Sequence, residues 1–241
     1  MAGRIGSSDR VVAIVPARYC SVRLPGKPLA DVAGVPLINR VLQGLNGSVD
    51  RIIVATDDRR IMDSVRKSGF EAILTGDADT GTQRVFMAWE SLGCPGEWII
   101  NVQGDEPLVD STWINALTSC HPEDYRVTTL ARRVQAVQAQ SPDSVKVVTD
   151  CNGDAMYFSR YSVPHGAEEL LEHIGVYCFN PASLRHCISA GSTLLSRTER
   201  LEQLAWLENG IRVRVIDGDF RGLGVDTPDD LERAVKYFAN R

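Results

Sequence analysis

Apolar positions along the chain alternate between short continuous runs and helically spaced stripes. Val11-Val12-Ala13-Ile14-Val15 is short, rich in β-branched residues and ends at Pro16, the pattern of a buried strand. Val35 to Leu45 instead places Leu37, Ile38, Val41 and Leu45 on one side of a helix, with Pro36 suited to its first turn. Arg51 to Asp57 is again a buried strand, ending in acids, and Asp58 to Ser68 presents Ile61, Met62 and Val65 as the next helical stripe. These segments make a βαβ unit. Glu71 to Leu74 predicts a short strand, and the loop Thr75 to Thr80 leads through Gly81-Thr82 into a helix ending near Ser91. Trp98 to Val102 is a further strand, stopped at Gln103-Gly104-Asp105-Glu106-Pro107, where proline turns the chain out of the sheet. The repetition predicts an α/β fold: a mostly parallel sheet with helices on both faces.

The pattern changes after about residue 124. Arg126 to Arg132, Ser144 to Thr149, Ala155 to Ser159 and His173 to Phe179 read as strands with few intervening helices. Asp150-Cys151-Asn152-Gly153 has the composition of a hairpin turn between two of them. The section from about 125 to 180 is therefore expected as a small β-rich insertion or marginal layer. Helical spacing returns from Arg197 to Glu208 with Gly210 as its stop, Ile211 to Ile216 is a strand, and Asp229 to Ala239 is a terminal helix with Leu231, Ala234, Val235 and Phe238 inward.

Length and composition narrow the function classes. The 241 residues, 44% of them hydrophobic, suffice for one large domain, expected over 11–241 behind a flexible polar leader at 1–10. A formal charge of -5 gives no general attraction to nucleic acid or to an acidic membrane, so a basic segment is a local feature. No run is long enough to span a bilayer. Six cysteines are scattered without a Cys-x-x-Cys pair, which points to free thiols and a cytoplasmic setting rather than a disulfide or zinc scaffold.

The basic segment lies at the carboxyl end of the first strand, where open α/β sheets bind ligands. Arg18, Arg23 and Lys27 fall within ten residues, with Pro25 and Gly26 shaping the approach to the lysine. Several cationic donors and free backbone amides suit a polyphosphate such as a nucleoside triphosphate, although a solvated basic loop has the same charge. Two acids stand at comparable junctions, Asp105 after the strand 98–102 and Asp226 in Gly224-Val225-Asp226-Thr227-Pro228. Brought to one sheet edge, the pair would hold one Mg²⁺; by itself Asp226 also suits a turn or helix cap. Asp57 shares the generic strand-end location.

Pro-Ala-Arg-Tyr-Cys-Ser-Val-Arg-Leu-Pro-Gly-Lys-Pro-Leu at 16–29, Gly-Thr-Gln-Arg at 81–84 and Asn-Val-Gln-Gly-Asp-Glu-Pro at 101–107 are followed by His-Ile-Gly-Val-Tyr at 173–177, Leu-Glu-Gln-Leu at 201–204 and Gly-Val-Asp-Thr-Pro-Asp-Asp-Leu-Glu at 224–232. In this order, and over almost the whole chain, these blocks resemble the sugar-acid cytidylyltransferases, specifically the 3-deoxy-manno-octulosonate (Kdo) cytidylyltransferase family. The resemblance implies a Rossmann-like fold of the nucleotide-diphospho-sugar transferase kind and Mg²⁺-dependent transfer of CMP from CTP to a small anionic acceptor, with release of pyrophosphate. It implies that Arg18, Lys27, Asp105 and Asp226 carry the reaction, the two aspartates as metal ligands. It places Pro16, Ala17, Arg18, Ser21, Arg23 and Lys27 on the nucleotide, joined by Thr82, Arg84 and Gln103. Around the acceptor it places Arg84, Gln103, His173, Tyr177 and Glu202, although His173 and Tyr177 equally suit structural positions. A homodimer is implied too, with the β-rich section as its contact and Tyr125 and Tyr161 as exposed aromatics.

The chain also departs from the family pattern. Gln83 stands where the family usually has Glu, Ala205 where it has Arg, and Leu194-Leu195-Ser196 where it has Pro-Leu-Glu; the segment from Ser162 to Leu171 is shorter than usual. All four departures fall where the acceptor is expected. They leave open a second acceptor class, a small phosphonate such as phosphonoformate, beside an octulosonate-type sugar acid. A dinucleotide oxidoreductase would require Gly-x-Gly-x-x-Gly after the first strand, where this chain has Pro-Ala-Arg. A noncatalytic nucleotide-binding protein is the distant alternative, separable by turnover.

Overall fold

The computed structural model describes residues 9–21, 23–119, 127–137, 139 and 141–240. Most of the leader (1–8), the start of the strand expected at Arg126, Cys120 and Tyr125 lie outside the described residues.

The first half follows the βαβ pattern. β1 (Val11–Ala17) is followed by a 3₁₀ turn at Lys27–Leu29, a two-stranded ribbon of β2 (Asp31–Val32) and β3 (Val35–Pro36), and α1 (Leu37–Leu45). β4 (Arg51–Thr56), α2 (Arg59–Lys67), β5 (Glu71–Leu74), α3 (Gly81–Ser91) and β6 (Trp98–Val102) come next. Pro36 is the residue preceding α1 rather than part of its first turn, because its extended backbone closes the ribbon with Asp31. Asp58 caps α2 by accepting the Arg60 N–H, and Thr80 caps α3 by accepting the Gln83 N–H.

The second half contains α4 (Ser111–Thr118), β7 (Val127–Gln135), β8 (Lys146–Thr149), β9 (Ala155–Ser159) and β10 (Glu169–Phe179). α5 (Pro181–Ser189), α6 (Leu194–Glu199), α7 (Glu202–Glu208), β11 (Val213–Asp217) and α8 (Pro228–Ala239) complete it. The single helix expected from Arg197 to Glu208 is two helices, broken where Arg200 adopts a left-handed backbone with φ 57°. α8 begins at Pro228 under a capping box in which Thr227 and Asp230 satisfy each other's backbone N–H groups.

The main sheet runs β11-β7-β10-β6-β1-β4-β5. Its strand pairs are parallel except those made by β10, which is antiparallel to β6 and β7. The β-rich section is therefore not uniformly marginal: β7 and β10 are interior strands of the sheet, and only the β8–β9 hairpin stands off its path. One face is packed by Ile38, Val41, Ile61, Trp113 and Leu117 from α1, α2 and α4. The other is packed by Val85, Trp89, Leu184, Leu204 and Trp206 from α3, α5 and α7. β1 carries a buried residue at every position from Val12 to Ala17 because both its faces are covered. Each fully buried Ile or Leu here contributes roughly 1.5–3 kcal/mol. Among the described residues no helix is long and apolar enough to cross a membrane.

From β1 the chain adds β4 and β5 on one side and then returns to place β6 on the other. The connections leaving β1 and β6 thus diverge at their carboxyl ends, and a crevice opens between them.

Candidate active site

That crevice is the floor of a cleft of about 2180 Å³. Pro16 and Ala17 end β1, and Arg18 lines the cleft directly beyond them. The basic loop then folds on itself: the Gly26 N–H reaches the Tyr19 carbonyl, the Lys27 N–H reaches the Leu24 carbonyl, and Ser21 Oγ accepts the Leu24 N–H. Gly26 has a φ of 69° and its missing side chain faces the Tyr19 ring, so only glycine turns the loop here without strain. Arg60 stacks on that ring, 3.4 Å from its centroid.

The turn presents Lys27 to both acids. Its Nζ lies 2.5 Å from Asp105 Oδ2 and 3.0 Å from Asp226 Oδ1. Burial alone would lower the Lys27 pKa, but the two carboxylates outweigh it and the net shift is upward. Arg23 reaches the same Asp226 Oδ1 at 3.0 Å and also pairs with Asp143. The loops carrying the two acids are joined through the backbone, the Val225 N–H donating to the Asp105 carbonyl at 3.0 Å. Gly104 makes the turn after β6 possible, since a Cβ there would lie 3.0 Å from the Pro16 carbonyl oxygen. The cap of α8 belongs to Thr227 and Asp230, which leaves the Asp226 carboxylate turned to the cations. Two carboxylates that already converge on one cation, beside an open cleft, fit a Mg²⁺ that takes its remaining oxygens from phosphate and water. Among the described residues there is no cluster of three or more His, Cys, Asp or Glu arranged for a metal.

A second group of polar side chains forms a relay. Gln103 Nε2 donates to Asn101 Oδ1 at 3.1 Å, Asn101 Nδ2 to Thr82 Oγ1 at 3.2 Å, and Thr82 Oγ1 to Glu202 Oε1 at 2.6 Å. Burial raises the pKa of Glu202, with the bonds from Thr80 and Thr82 opposing the rise. β10 supplies His173 and Tyr177 to the same cleft. Thr129 has one hydroxyl proton and places it on the Val176 carbonyl at 2.6 Å; its contact of 2.9 Å with His173 Nε2 therefore makes that nitrogen the donor. Desolvation lowers the His173 pKa to about 3, so the ring is neutral near pH 7. Tyr177 is at once a cleft residue and a core aromatic, edge-on to Trp206 at 5.0 Å and 4% exposed.

Arg84, at the start of α3, has close partners of its own. Its guanidinium holds Asp57 at 2.7 Å, Thr75 Oγ1 at 2.6 Å and the Gly76 carbonyl at 3.3 Å, and like Arg23 and Lys27 it stands behind the residues that line the cleft. It fixes the loop before α3. Gln83 is a capping residue, with Oε1 accepting the Asp79 N–H at 2.6 Å. A glutamate or a glutamine serves that purpose equally.

Residues beyond the sequence-based set also face the cleft. Glu106 follows Asp105, and its Oε2 is buried without a hydrogen-bond partner. Burial and the Asp105 charge push its pKa up to about 8 against the pull of Arg132. Asp143 belongs to a loop far from Arg23 in sequence, and Arg132 is fixed between Glu172 and the Gly222 carbonyl. Glu106 was visible in the 101–107 block as a second acid; the others join segments that share no local motif.

The sequence pattern of the cytidylyltransferase family matches residues 12–214. A 3-deoxy-manno-octulosonate cytidylyltransferase of Anaeromyxobacter sp. (strain K) is 47% identical over 231 residues, covering 93% of this chain and 96% of that protein. The protein of the same description from Porphyromonas gingivalis is 38% identical, covering 97% and 98%. A solved structure of CMP:2-keto-3-deoxy-manno-octonic acid synthetase complexed with CTP superposes with a TM-score of 0.88 at 34% identity, covering 96% of this chain and 99% of that one. With the pattern running from β1 into β11 and these relatives matched nearly end to end, the chain belongs to the cytidylyltransferase family, CTP-dependent nucleotidyltransferases, alongside the 3-deoxy-manno-octulosonate enzymes.

Proposed function

We propose that the protein transfers CMP from CTP to a hydroxyl of a 3-deoxy-octulosonate-type sugar acid and releases pyrophosphate. The observation that carries the proposal is the meeting of Lys27 with Asp105 and Asp226 near the crevice between β1 and β6, the two acids lining a cleft that also holds Arg18, Gln103 and Glu202. Relatives described as 3-deoxy-manno-octulosonate cytidylyltransferases support the acceptor class.

In this proposal Arg18, Arg23 and Lys27 grip the triphosphate, whose charge they offset as the acceptor oxygen bonds to the α-phosphorus and the α–β phosphoanhydride bond breaks. Asp105 and Asp226 hold Mg²⁺, which when bound polarises phosphate oxygens as a Lewis acid. Gln103, His173, Tyr177 and Glu202 surround the acceptor, and Pro16, Ala17, Ser21 and Thr82 shape the nucleotide side. The neutral His173 ring can hydrogen-bond a sugar hydroxyl without bringing a charge. A homodimer through the β-rich section belongs to the same proposal, supported by Met156 at 63% and Tyr161 at 79% exposure on and beside β9. So does a cytoplasmic setting, in keeping with Cys20, Cys94, Cys151 and Cys187 as free thiols.

The test is pyrophosphate release from CTP, ATP, GTP or UTP with Mg²⁺ and Kdo. CTP alone should support rapid turnover, and chelation should stop it. Equal use of a purine triphosphate would remove the cytidylyl assignment.

A further inference from the structure

Lys27 lies where a metal ion would be expected. Its Nζ bridges Asp105 Oδ2 at 2.5 Å and Asp226 Oδ1 at 3.0 Å, and its side chain is only 15% exposed. Arg23 contacts the same Asp226 oxygen. Both oxygens thus already hold cationic partners before anything binds, Arg23 dividing its charge between Asp226 and Asp143, so a free divalent ion has to compete with Lys27 for the pair. The backbone bond from the Val225 N–H to the Asp105 carbonyl holds the two acid-bearing loops together independently of the lysine. The acids are thus presented as a pair whichever cation they hold.

We infer that Lys27 is the resident counter-ion of this acid pair, occupying the metal position in the free protein and giving it up when a triphosphate receives its ammonium. The inference rests on the metal role proposed above. Mg²⁺ binds carboxylate oxygens at about 2.0–2.1 Å, so an ammonium already in hydrogen-bond contact with the same two oxygens has to move for the ion to enter. Lys27 cannot move far through its backbone, because the turn on Gly26 and the bond from the Lys27 N–H to the Leu24 carbonyl hold it. The side chain swings instead, and a triphosphate in the cleft offers it new anionic oxygens. Metal and nucleotide then bind as coupled ligands: each raises the affinity for the other, because each removes one half of the Lys27–carboxylate contact. The free protein takes up divalent metal weakly, and the cleft is loaded by the metal–nucleotide pair.

The test is Mn²⁺ affinity in the absence of nucleotide, read from the electron paramagnetic resonance signal of free Mn²⁺, for the wild type and for Lys27→Met and Lys27→Gln. Both variants should bind Mn²⁺ at least tenfold more tightly than the wild type, and Mn²⁺ should raise their Tm by more than it raises that of the wild type. Unchanged or weaker Mn²⁺ affinity in the variants overturns the inference. A variant unfolded without metal that recovers its circular dichroism with Mn²⁺ supports it, whereas variants that stay unfolded with Mn²⁺ make Lys27 a folding element and overturn it. Asp105→Asn, assayed for the Mg²⁺ concentration that half-saturates turnover, separates the two levels. Unchanged Mg²⁺ dependence in Asp105→Asn removes the metal role itself; a large loss there, with no tightening in the Lys27 variants, removes only the counter-ion.

Discussion

The Thr82 hydroxyl donates to Glu202 Oε1 over 2.6 Å, tying the first turn of α3 to the first residue of α7 across the base of the cleft. Glu202 is raised in pKa by burial, so its carboxylate depends on such donors. Thr82→Val keeps the shape and removes the donor. It should cost about 1–3 kcal/mol in urea unfolding, since Glu202 loses one of its donors and Asn101 Nδ2 loses its acceptor, while Thr82→Ser should stay near wild type. Equal stability of the Val and Ser variants would show that the bond contributes nothing.

Arg84 and Asp57 form a pair in which the arginine side chain is 5% exposed and the aspartate 31%. Removing the acid strands a buried guanidinium, left among the described residues with Thr75 and the Gly76 carbonyl. Asp57→Ala should therefore lower stability by about 3 kcal/mol, the low end for a broken buried pair because Asp57 is partly hydrated. The apparent KM for CTP should stay within about twofold at temperatures where the variant is folded, less than ~0.5 kcal/mol of binding. A tenfold rise in that KM without loss of stability would return Arg84 to the nucleotide.

These two pairs show where local sequence stops being informative. The β1, β4, β5 and β6 runs and the turns after β1 and β6 were legible because each is specified by neighbouring residues: an apolar run, a proline, a glycine. The convergence of Asp105 and Asp226 was approachable through Asp105, which closely follows β6, whereas Lys27 and Asp226 lie well beyond the ends of β1 and β11 and are brought there by the fold of their loops. The break between α6 and α7 was not, since it rests on a left-handed arginine and no Gly or Pro marks it. α4 and α5 went unread although Asp110 before Ser-Thr and Asn180 before Pro181 are ordinary capping signals. The interior placement of β7 and β10 could not be read from strand spacing, because sheet order is set by long-range pairing. The pairing of Arg84 with Asp57 was not legible either, because the two residues belong to separate segments that share no local motif.

His173 gives a pH dependence. Desolvation holds its pKa at about 3 in the folded protein against an ordinary value of 6.5. Between these values the unfolded chain binds a proton that the folded one does not, so this contribution to stability is complete above pH 6.5 and declines as the pH falls toward 3. His173→Gln keeps a donor for Thr129 and removes the titration. Its Tm should fall less than that of the wild type between pH 6.5 and 4.5. Parallel Tm profiles would mean that the ring takes up its proton in the folded state.

Acceptor choice is decided by what the cleft can satisfy. A large sugar acid brings many hydroxyls, and each needs a partner once water is displaced; a phosphonoformate-sized acceptor brings little besides charge. Gln103, Thr82, Glu202 and the neutral His173 line the cleft with directional polar groups, fixed in orientation through Asn101 and Thr129, of which a small dianion would engage few. A site built to hydrogen-bond substrate hydroxyls discriminates against analogues that lack them. Of the departures that had favoured a phosphonate, Gln83 spends its carbonyl on the Asp79 N–H and touches no acceptor by that group, while Ala205 is buried in α7 and enlarges the space beside it. At saturating CTP and Mg²⁺, kcat/KM for Kdo should therefore exceed that for phosphonoformate by at least two orders of magnitude, about 3 kcal/mol of discrimination. Glu202→Ala should narrow the ratio mainly by lowering the Kdo value, since the carboxylate that organises the relay is gone. A phosphonoformate preference in the wild type would show that the polar wall serves the nucleotide or the fold instead of the acceptor.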